Sequence, residues 1–183
     1  MFQNLSSNHV NGSIHNQAFI QETLEKERLV KLLASERFKT MKALREEDDF
    51  ALIYAESGWR IKDILGHIAA WEREVLATLQ AFHAGDSYSL GDDLSIEEYN
   101  QRNFEQRKKY SPAQIRMDWG MVRRDLQFVI NQIAPERMND LIDFPWGEKG
   151  TISQIIEEIV KHEATHLAEI LTVLQSERND KPQ

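Results

Sequence analysis

The chain of 183 residues contains no cysteine. Disulfide bonds, cysteine metal ligands and a thiol nucleophile supplied by the protein itself are therefore excluded. Positive charge is also in short supply, because 22 Lys and Arg stand against 30 Asp and Glu, giving a formal net charge of -8. Since nucleic-acid-binding surfaces need an excess of basic residues, we expect no nucleic-acid partner.

Long apolar runs are missing too. No stretch approaches the roughly 18 apolar residues that a membrane span requires. The first residues lack the basic segment and apolar run of a secretory signal peptide. We therefore expect a cytoplasmic protein with no membrane partner.

Apolar residues instead recur at steps of three and four, which is the period of an amphipathic helix. The pattern predicts four long helices, at about 18–46, 60–83, 111–133 and 151–176. A more polar helical segment is expected near 95–108. No convincing strand pattern and no short repeat is present.

Local start signals support these helices. Ser95, Ser111 and Thr151 each precede a Glu or Gln by three residues, the spacing of a capping box. The fold class expected is all-α, an up-down four-helix bundle with a long crossover connection. We expect one domain over residues 18–177, with a flexible N-terminal tail at 1–17 and a C-terminal tail at 178–183.

The last predicted helix contains the string His162-Glu163-Ala164-Thr165-His166, the H-E-x-x-H pattern of zinc proteases. Two histidines four residues apart on a helix point the same way and can share one metal ion. A protease also needs a third ligand downstream, but no histidine follows His166. A zinc protease is therefore a minor alternative.

A third ligand can come from another helix of the bundle. His67 lies three residues after Ile64 and four before Trp71, on or beside the apolar face of its helix. Cores of helix bundles commonly contain such metal sites.

The stretch "GWRIKDILGHIAAWE", followed about 90 residues later by "HEATH", resembles the DinB/YfiT-like superfamily. The resemblance covers about residues 25–174 and implies an up-down bundle with a long crossover. It also implies a divalent metal ion held by His67, His162 and His166. Zn²⁺, Ni²⁺ and Fe²⁺ all accept imidazole, so the identity of the metal stays open.

That family includes transferases and isomerases that use low-molecular-weight thiols, and some relatives that hydrolyse a reactive compound. The resemblance implies a metal-dependent enzyme acting on a small-molecule substrate by S-transfer or hydrolysis, with a thiol as cosubstrate. A non-catalytic metal-binding or stress-associated bundle is the alternative.

Three carboxylates are candidates to orient a ligand or to act as a general base: Asp63, Glu163 and Glu169. Asp63 lies four residues before His67, but an acid in the first turn of a helix is also favoured by the helix dipole. The other two are equally compatible with exposed helical positions. Trp146, in a Pro-Trp-Gly loop, and the polar crossover segment are candidates to line and cover a pocket.

A homodimer is expected as well. Part of the reason is the resemblance, since such bundles often pair through helices. The other part is the apolar excess of the first and third predicted helices, where Phe38, Met41, Trp119 and Met121 exceed what one core needs.

Overall fold

The computed structural model describes residues 7–90 and 94–179. The five α-helices are α1 (Ser7–Ala43), α2 (Ile61–Ala84), α3 (Ile96–Arg107), α4 (Pro112–Gln132) and α5 (Ile152–Asn179). Helices α1, α2, α4 and α5 form the bundle, and α3 lies in the long connection between α2 and α4. The predicted all-α bundle with a crossover is confirmed.

Two small hairpins accompany the helices. Strand β1 (Leu52–Tyr54) pairs antiparallel with β2 (Trp59–Arg60), directly before α2. Strand β3 (Leu141–Asp143) pairs antiparallel with β4 (Lys149–Thr151), directly before α5. Strands of two or three residues are too short to show an alternating pattern, so the sequence did not predict them.

The helix starts follow the capping signals. The hydroxyl of Ser95 accepts a hydrogen bond from the backbone N–H of Glu98 at 3.2 Å. The hydroxyl of Ser111 accepts one from Gln114 at 3.3 Å. Helix α2 ends at Ala84 and is capped by Gly85. The φ of Gly85 is 84°, a left-handed conformation that glycine adopts without strain.

Helix α1 begins earlier than predicted, at Ser7 rather than near residue 18. Its first part is rich in Asn, Ser and Gly, which are poor helix formers, and it lacks an apolar stripe. Residues 1–6 of the predicted N-terminal tail and residues 180–183 of the C-terminal tail lie outside the described residues. The division into one domain and two tails stays a prediction.

The core contains apolar side chains from all four bundle helices. Its largest fully buried members include Leu29, Leu33, Ile64, Leu65, Ile68, Leu126 and Ile130. Each such side chain contributes about 1.5–3 kcal/mol through removal from water.

Trp119 also belongs to this core, with only 3% of its surface exposed. It therefore offers no surface for a second subunit, contrary to the sequence-based expectation. The other three residues named for that role, Phe38, Met41 and Met121, are exposed by 59%, 57% and 41%. Among the described residues, no helix is both long and apolar enough to span a lipid bilayer.

Candidate metal centre and adjoining cavity

Three histidine rings meet between α2 and α5. The Nε2 atom of His162 lies 3.0 Å from Nε2 of His67 and 3.1 Å from Nε2 of His166. One potential ligand atom from each ring lies within 4.8 Å of the other two. The fold thus brings together the three histidines that the sequence indicated, across 95 positions of the chain between His67 and His162.

Burial keeps the imidazoles of His67 and His162 in the neutral form. Burial, together with the neighbouring His162 and His166, lowers the pKa of His67 to about 2. Burial and the nearby His166 lower the pKa of His162 to about 4. A neutral imidazole presents a lone pair, which is the form of histidine that binds metals.

Glu169 fixes the orientation of one of the rings. Its Oε2 atom accepts a hydrogen bond from Nδ1 of His166 at 2.8 Å and another from the hydroxyl of Tyr54 at 2.5 Å. Burial opposes ionisation of Glu169, but the hydrogen bonds from Tyr54 and His166 outweigh it and hold its pKa below the ordinary value. Because Nδ1 of His166 carries the proton, its Nε2 lone pair faces the other two histidines.

Tyr54 remains a donor in this arrangement. Burial, and next the hydrogen bond to Glu169, raise the pKa of Tyr54 above its ordinary value. The phenol is therefore protonated at neutral pH. Strand β1 thus supports the ligand face of α5 from outside the bundle.

Asp63 has a different place. Its Oδ2 atom accepts a hydrogen bond from the backbone N–H of Arg60 at 3.0 Å, which caps the start of α2. Lys62 Nζ lies 3.5 Å from the other oxygen. Within the described residues no hydrogen bond joins Asp63 to His67, so the contacts match the helix-start interpretation of this residue.

Glu163 lies fully buried inside the bundle. It accepts hydrogen bonds from Arg37 Nε at 3.0 Å and from Arg123 Nη2 at 2.5 Å. Both guanidinium groups also bond Glu72 Oε1, with Arg37 Nη2 at 2.7 Å and Arg123 Nε at 3.1 Å. We call Arg37, Glu72, Arg123 and Glu163 the ion cluster. Its members come from α1, α2, α4 and α5, and their formal charges sum to zero.

The ion cluster explains the glutamate of the H-E-x-x-H string. Successive helical residues are turned by about 100°, so Glu163 and His162 face different directions. Burial raises the pKa of Glu163, while Arg123 and Arg37 act to lower it. In the described part of the chain, neither oxygen of Glu163 hydrogen-bonds a histidine of the triad, and both are used by arginines.

A cavity of about 280 Å³ lies against His67 and His162. The indole rings of Trp71 and Trp146 line it, with centroids 6.1 Å apart and planes at 76°. Its remaining walls are Ile96, Asn100, Glu158 and Ile159. The cavity is at the small end of the range for ligand sites.

Helix α3 and the second hairpin contribute walls to this space. Asn100 of α3 accepts a hydrogen bond from Trp71 Nε1 at 2.9 Å, and the Tyr99 hydroxyl donates to the carbonyl of Ala70 at 3.2 Å. Trp146 lies in the β3–β4 turn, directly before Gly147. The φ of Gly147 is 93°, a left-handed conformation that glycine adopts without strain. Helix α3 of the crossover segment therefore lines part of the cavity, and Trp146 forms another part of its wall.

The histidine triad fits a divalent ion. For a tetrahedral zinc site with Zn–N distances of about 2.0–2.1 Å, neighbouring ligand nitrogens lie roughly 3.4 Å apart. The observed separations of 3.0 and 3.1 Å are close to this value. Three neutral imidazoles also leave a coordination position for a further ligand, as in catalytic rather than purely structural sites.

The same chain matches a known protein family. A family model described as the DinB superfamily aligns with residues 24–170, which is most of the chain. The chain belongs to the DinB superfamily. The matched region runs from α1 into α5 and includes all three histidines.

Solved structures agree with this DinB-superfamily fold. The crystal structure of a mycothiol-dependent maleylpyruvate isomerase superposes with a TM-score of 0.57 at 9% identity, covering 85% of this chain and 60% of that one. A mutant of the isomerase gives a TM-score of 0.56 at 11% identity, with the same coverage. The chain thus spans about 60% of the length of these structures. Among curated proteins, no sequence gave a significant match.

Sequence analysis missed four residues around the triad: Tyr54, Arg37, Glu72 and Arg123. Tyr54 is 115 positions from Glu169, and nothing local indicates their contact. The other three did leave a signal. Each of the three is a charged residue at a position that belongs to the apolar stripe of its helix. The charges of the two arginines equal those of the two glutamates, Glu72 and Glu163.

Proposed function

We propose that this DinB-superfamily chain is a divalent-metal-dependent enzyme acting on a small molecule, by thiol-dependent S-transfer or by hydrolysis. His67, His162 and His166 hold the ion. The observation that carries the proposal is the convergence of three part-buried imidazoles, two of which border a cavity. The name of the similar isomerase includes dependence on a thiol, which supports a thiol as cosubstrate. We also propose that the protein is cytoplasmic, as expected from the sequence.

The chain's own residues have distinct roles in it. The histidines bind the ion, Glu169 keeps the proton of His166 on Nδ1, and the rings of Trp71 and Trp146 exclude water from the cavity. A divalent ion held in this way lowers the pKa of a bound water or thiol and polarises a carbonyl group. The protein has no cysteine, so the sulfur nucleophile of an S-transfer reaction arrives with the cosubstrate.

Metal content provides the first test. Protein purified without a His tag and loaded with Zn²⁺, Ni²⁺ or Fe²⁺ is expected to bind one ion per chain. His67→Ala, His162→Ala and His166→Ala should each lose most of that metal, because each removes one of three protein ligands. His83→Ala, at the exposed end of α2, is the matched control and should retain it. Full metal retention by the three variants would refute the site.

Activity separates the remaining alternatives. The loaded protein is incubated with an electrophile and a panel of low-molecular-weight thiols, and separately with hydrolysable esters and amides. Metal-dependent consumption of the electrophile with a thiol supports S-transfer, and turnover without a thiol supports hydrolysis. If the protein binds metal but catalyses neither reaction, the non-catalytic metal-binding bundle is favoured. The small apolar cavity is the observation that supports this alternative. No casein cleavage is expected, since Glu163 is bonded to arginines.

A further inference from the structure

We propose that Asn100 is the hydrogen-bond donor that orients the substrate of this site. The cavity then takes a small molecule in which an acceptor oxygen, such as a carbonyl, is joined to an apolar or aromatic body. This inference rests on the proposed function for its reaction, but not for its test. Neither the family match nor the solved structures assign a role to Asn100.

The hydrogen bond from Trp71 decides which way the Asn100 amide points. An indole N–H can only donate, so the atom facing it at 2.9 Å must be the amide oxygen. The amide nitrogen, Nδ2, is consequently directed away from Trp71. The usual ambiguity between the oxygen and nitrogen of an asparagine side chain is thereby resolved by chemistry.

The amide nitrogen has no protein acceptor. Within the described residues, the only hydrogen bond of the Asn100 side chain is the one from Trp71. Asn100 lines the cavity that also borders His67 and His162, and a narrower space that borders His67. The proposal assigns its two N–H donors, which no described residue accepts, to a molecule bound in this cavity.

The other walls determine the rest of the ligand. Two indole rings and the side chains of Ile96 and Ile159 present apolar surface. No Lys or Arg belongs to the described lining of this cavity. The only carboxylate is that of Glu158, which is half exposed and lies 3.9 Å from Lys161 Nζ. The protein walls alone therefore offer no positive charge to a ligand, so an anionic group could be met only by an ion at the triad.

A hydrogen-bond donor beside an apolar cavity favours ligands that have an acceptor, because other ligands leave the donor unpaired. A ligand with a carbonyl accepts from Asn100, whereas an isostere without an acceptor leaves the amide N–H groups without a partner once water is displaced. One neutral hydrogen bond of this kind changes affinity by about three- to tenfold. The preference should therefore be measurable with simple compounds.

The test compares two isosteric probes, acetophenone and α-methylstyrene, by ligand-observed NMR titration. Both have an aromatic body, but only acetophenone has an acceptor oxygen. We expect wild-type protein to bind acetophenone about three- to tenfold more tightly than α-methylstyrene. In Asn100→Asp the Trp71 N–H still finds an oxygen but both donors are lost, so this ratio should fall to about one or below.

Gln106→Glu is the matched control, since it makes the same change of charge at an exposed position of α3 and should keep the wild-type ratio. If Asn100→Asp does not fold, Asn100→Ala gives the same comparison, because a ratio cancels general changes in cavity shape. An unchanged ratio in the variant, or no binding of either aromatic probe, would overturn the inference. Each titration is made with metal-free and Zn²⁺-loaded protein, so a chain that binds no metal refutes the proposed function without deciding the role of Asn100.

Discussion

Among single residues, Glu169 illustrates how a group that does not contact the metal can control it. Its carboxylate bonds Nδ1 of His166 and thereby holds the ring and its tautomer. Replacing such a partner typically weakens metal binding by 10–100-fold. We therefore expect Glu169→Ala to raise the Zn²⁺ dissociation constant by about 10–100-fold, measured by competition with a chromogenic chelator.

Two variants calibrate this result. Tyr54→Phe leaves the bond between His166 and Glu169 in place and removes one donor to the carboxylate, so its effect should be only about threefold. Glu157→Gln, on the same helix, changes a carboxylate that pairs with Arg28 at the surface and should leave Zn²⁺ affinity unaltered. Wild-type affinity in Glu169→Ala would contradict the role assigned to the carboxylate.

The sequence could predict the histidines but not what surrounds them. His162 and His166 are four residues apart on one helix, so helical geometry aligns them. His67 lies beside the apolar face of another helix, and the family resemblance implied that it joins them. The contact of Tyr54 with Glu169 depends on a two-stranded hairpin that has no sequence pattern of its own. The hydrogen bonds of Asp63, Glu163 and Glu169, which were all candidates by sequence, depend on the groups that the fold places beside each one.

At the scale of the structural elements, helix α5 directs two consecutive residues to different sites. His162 belongs to the histidine triad, and Glu163 belongs to the ion cluster that joins all four bundle helices. Removing one member of a buried charge pair commonly costs 3–5 kcal/mol, because the partner charge is left buried without compensation. Buried ionic contacts can also fix how elements are rotated against one another.

Glu163→Gln should therefore act on stability and not on metal stoichiometry. We expect the free energy of unfolding of the metal-free protein to fall by about 3 kcal/mol, since Arg37 and Arg123 lose a charge partner. The folded variant should still bind one Zn²⁺ per chain at saturating metal, because all three histidines remain. Urea denaturation and metal analysis measure the two quantities.

The control for that change is Glu157→Gln, which alters an exposed ion pair worth less than about 1 kcal/mol. A folded Glu163→Gln protein that binds no metal would instead place Glu163 at the metal. Unchanged stability would show that the ion cluster contributes little to the bundle.

The contrast between helices and hairpins has a physical origin. Helix starts at Ser95 and Ser111 are encoded within four residues, so those boundaries could be predicted closely. The hairpins β1–β2 and β3–β4 exist because they close short connections against neighbouring helices. That tertiary support is not visible in two- or three-residue segments.

For the whole molecule, the open question is whether the bundle pairs with a second copy. Helices α1 and α4 are neighbours, joined by hydrogen bonds such as that from Arg123 Nη1 to the carbonyl of Leu33 at 2.7 Å. Large apolar side chains remain exposed on both helices: Phe38, Met41, Met117, Met121 and Phe128. A net charge of -8 spread over the molecule opposes unspecific association, so pairing would need such an apolar face.

We therefore expect a homodimer through α1 and α4, with a mass about twice the 21.3 kDa of the chain in sedimentation at micromolar concentration. The double variant Phe38→Glu, Met121→Glu places a charge on each helix of the proposed interface and should sediment as a monomer, because burying two unpaired carboxylates costs more than the apolar contact gains. Leu141→Glu changes a residue that is 66% exposed on β3, outside these helices, and should leave the dimer intact. A wild-type protein that sediments at 21.3 kDa would show that the exposed apolar side chains of α1 and α4 do not pair two copies of this chain.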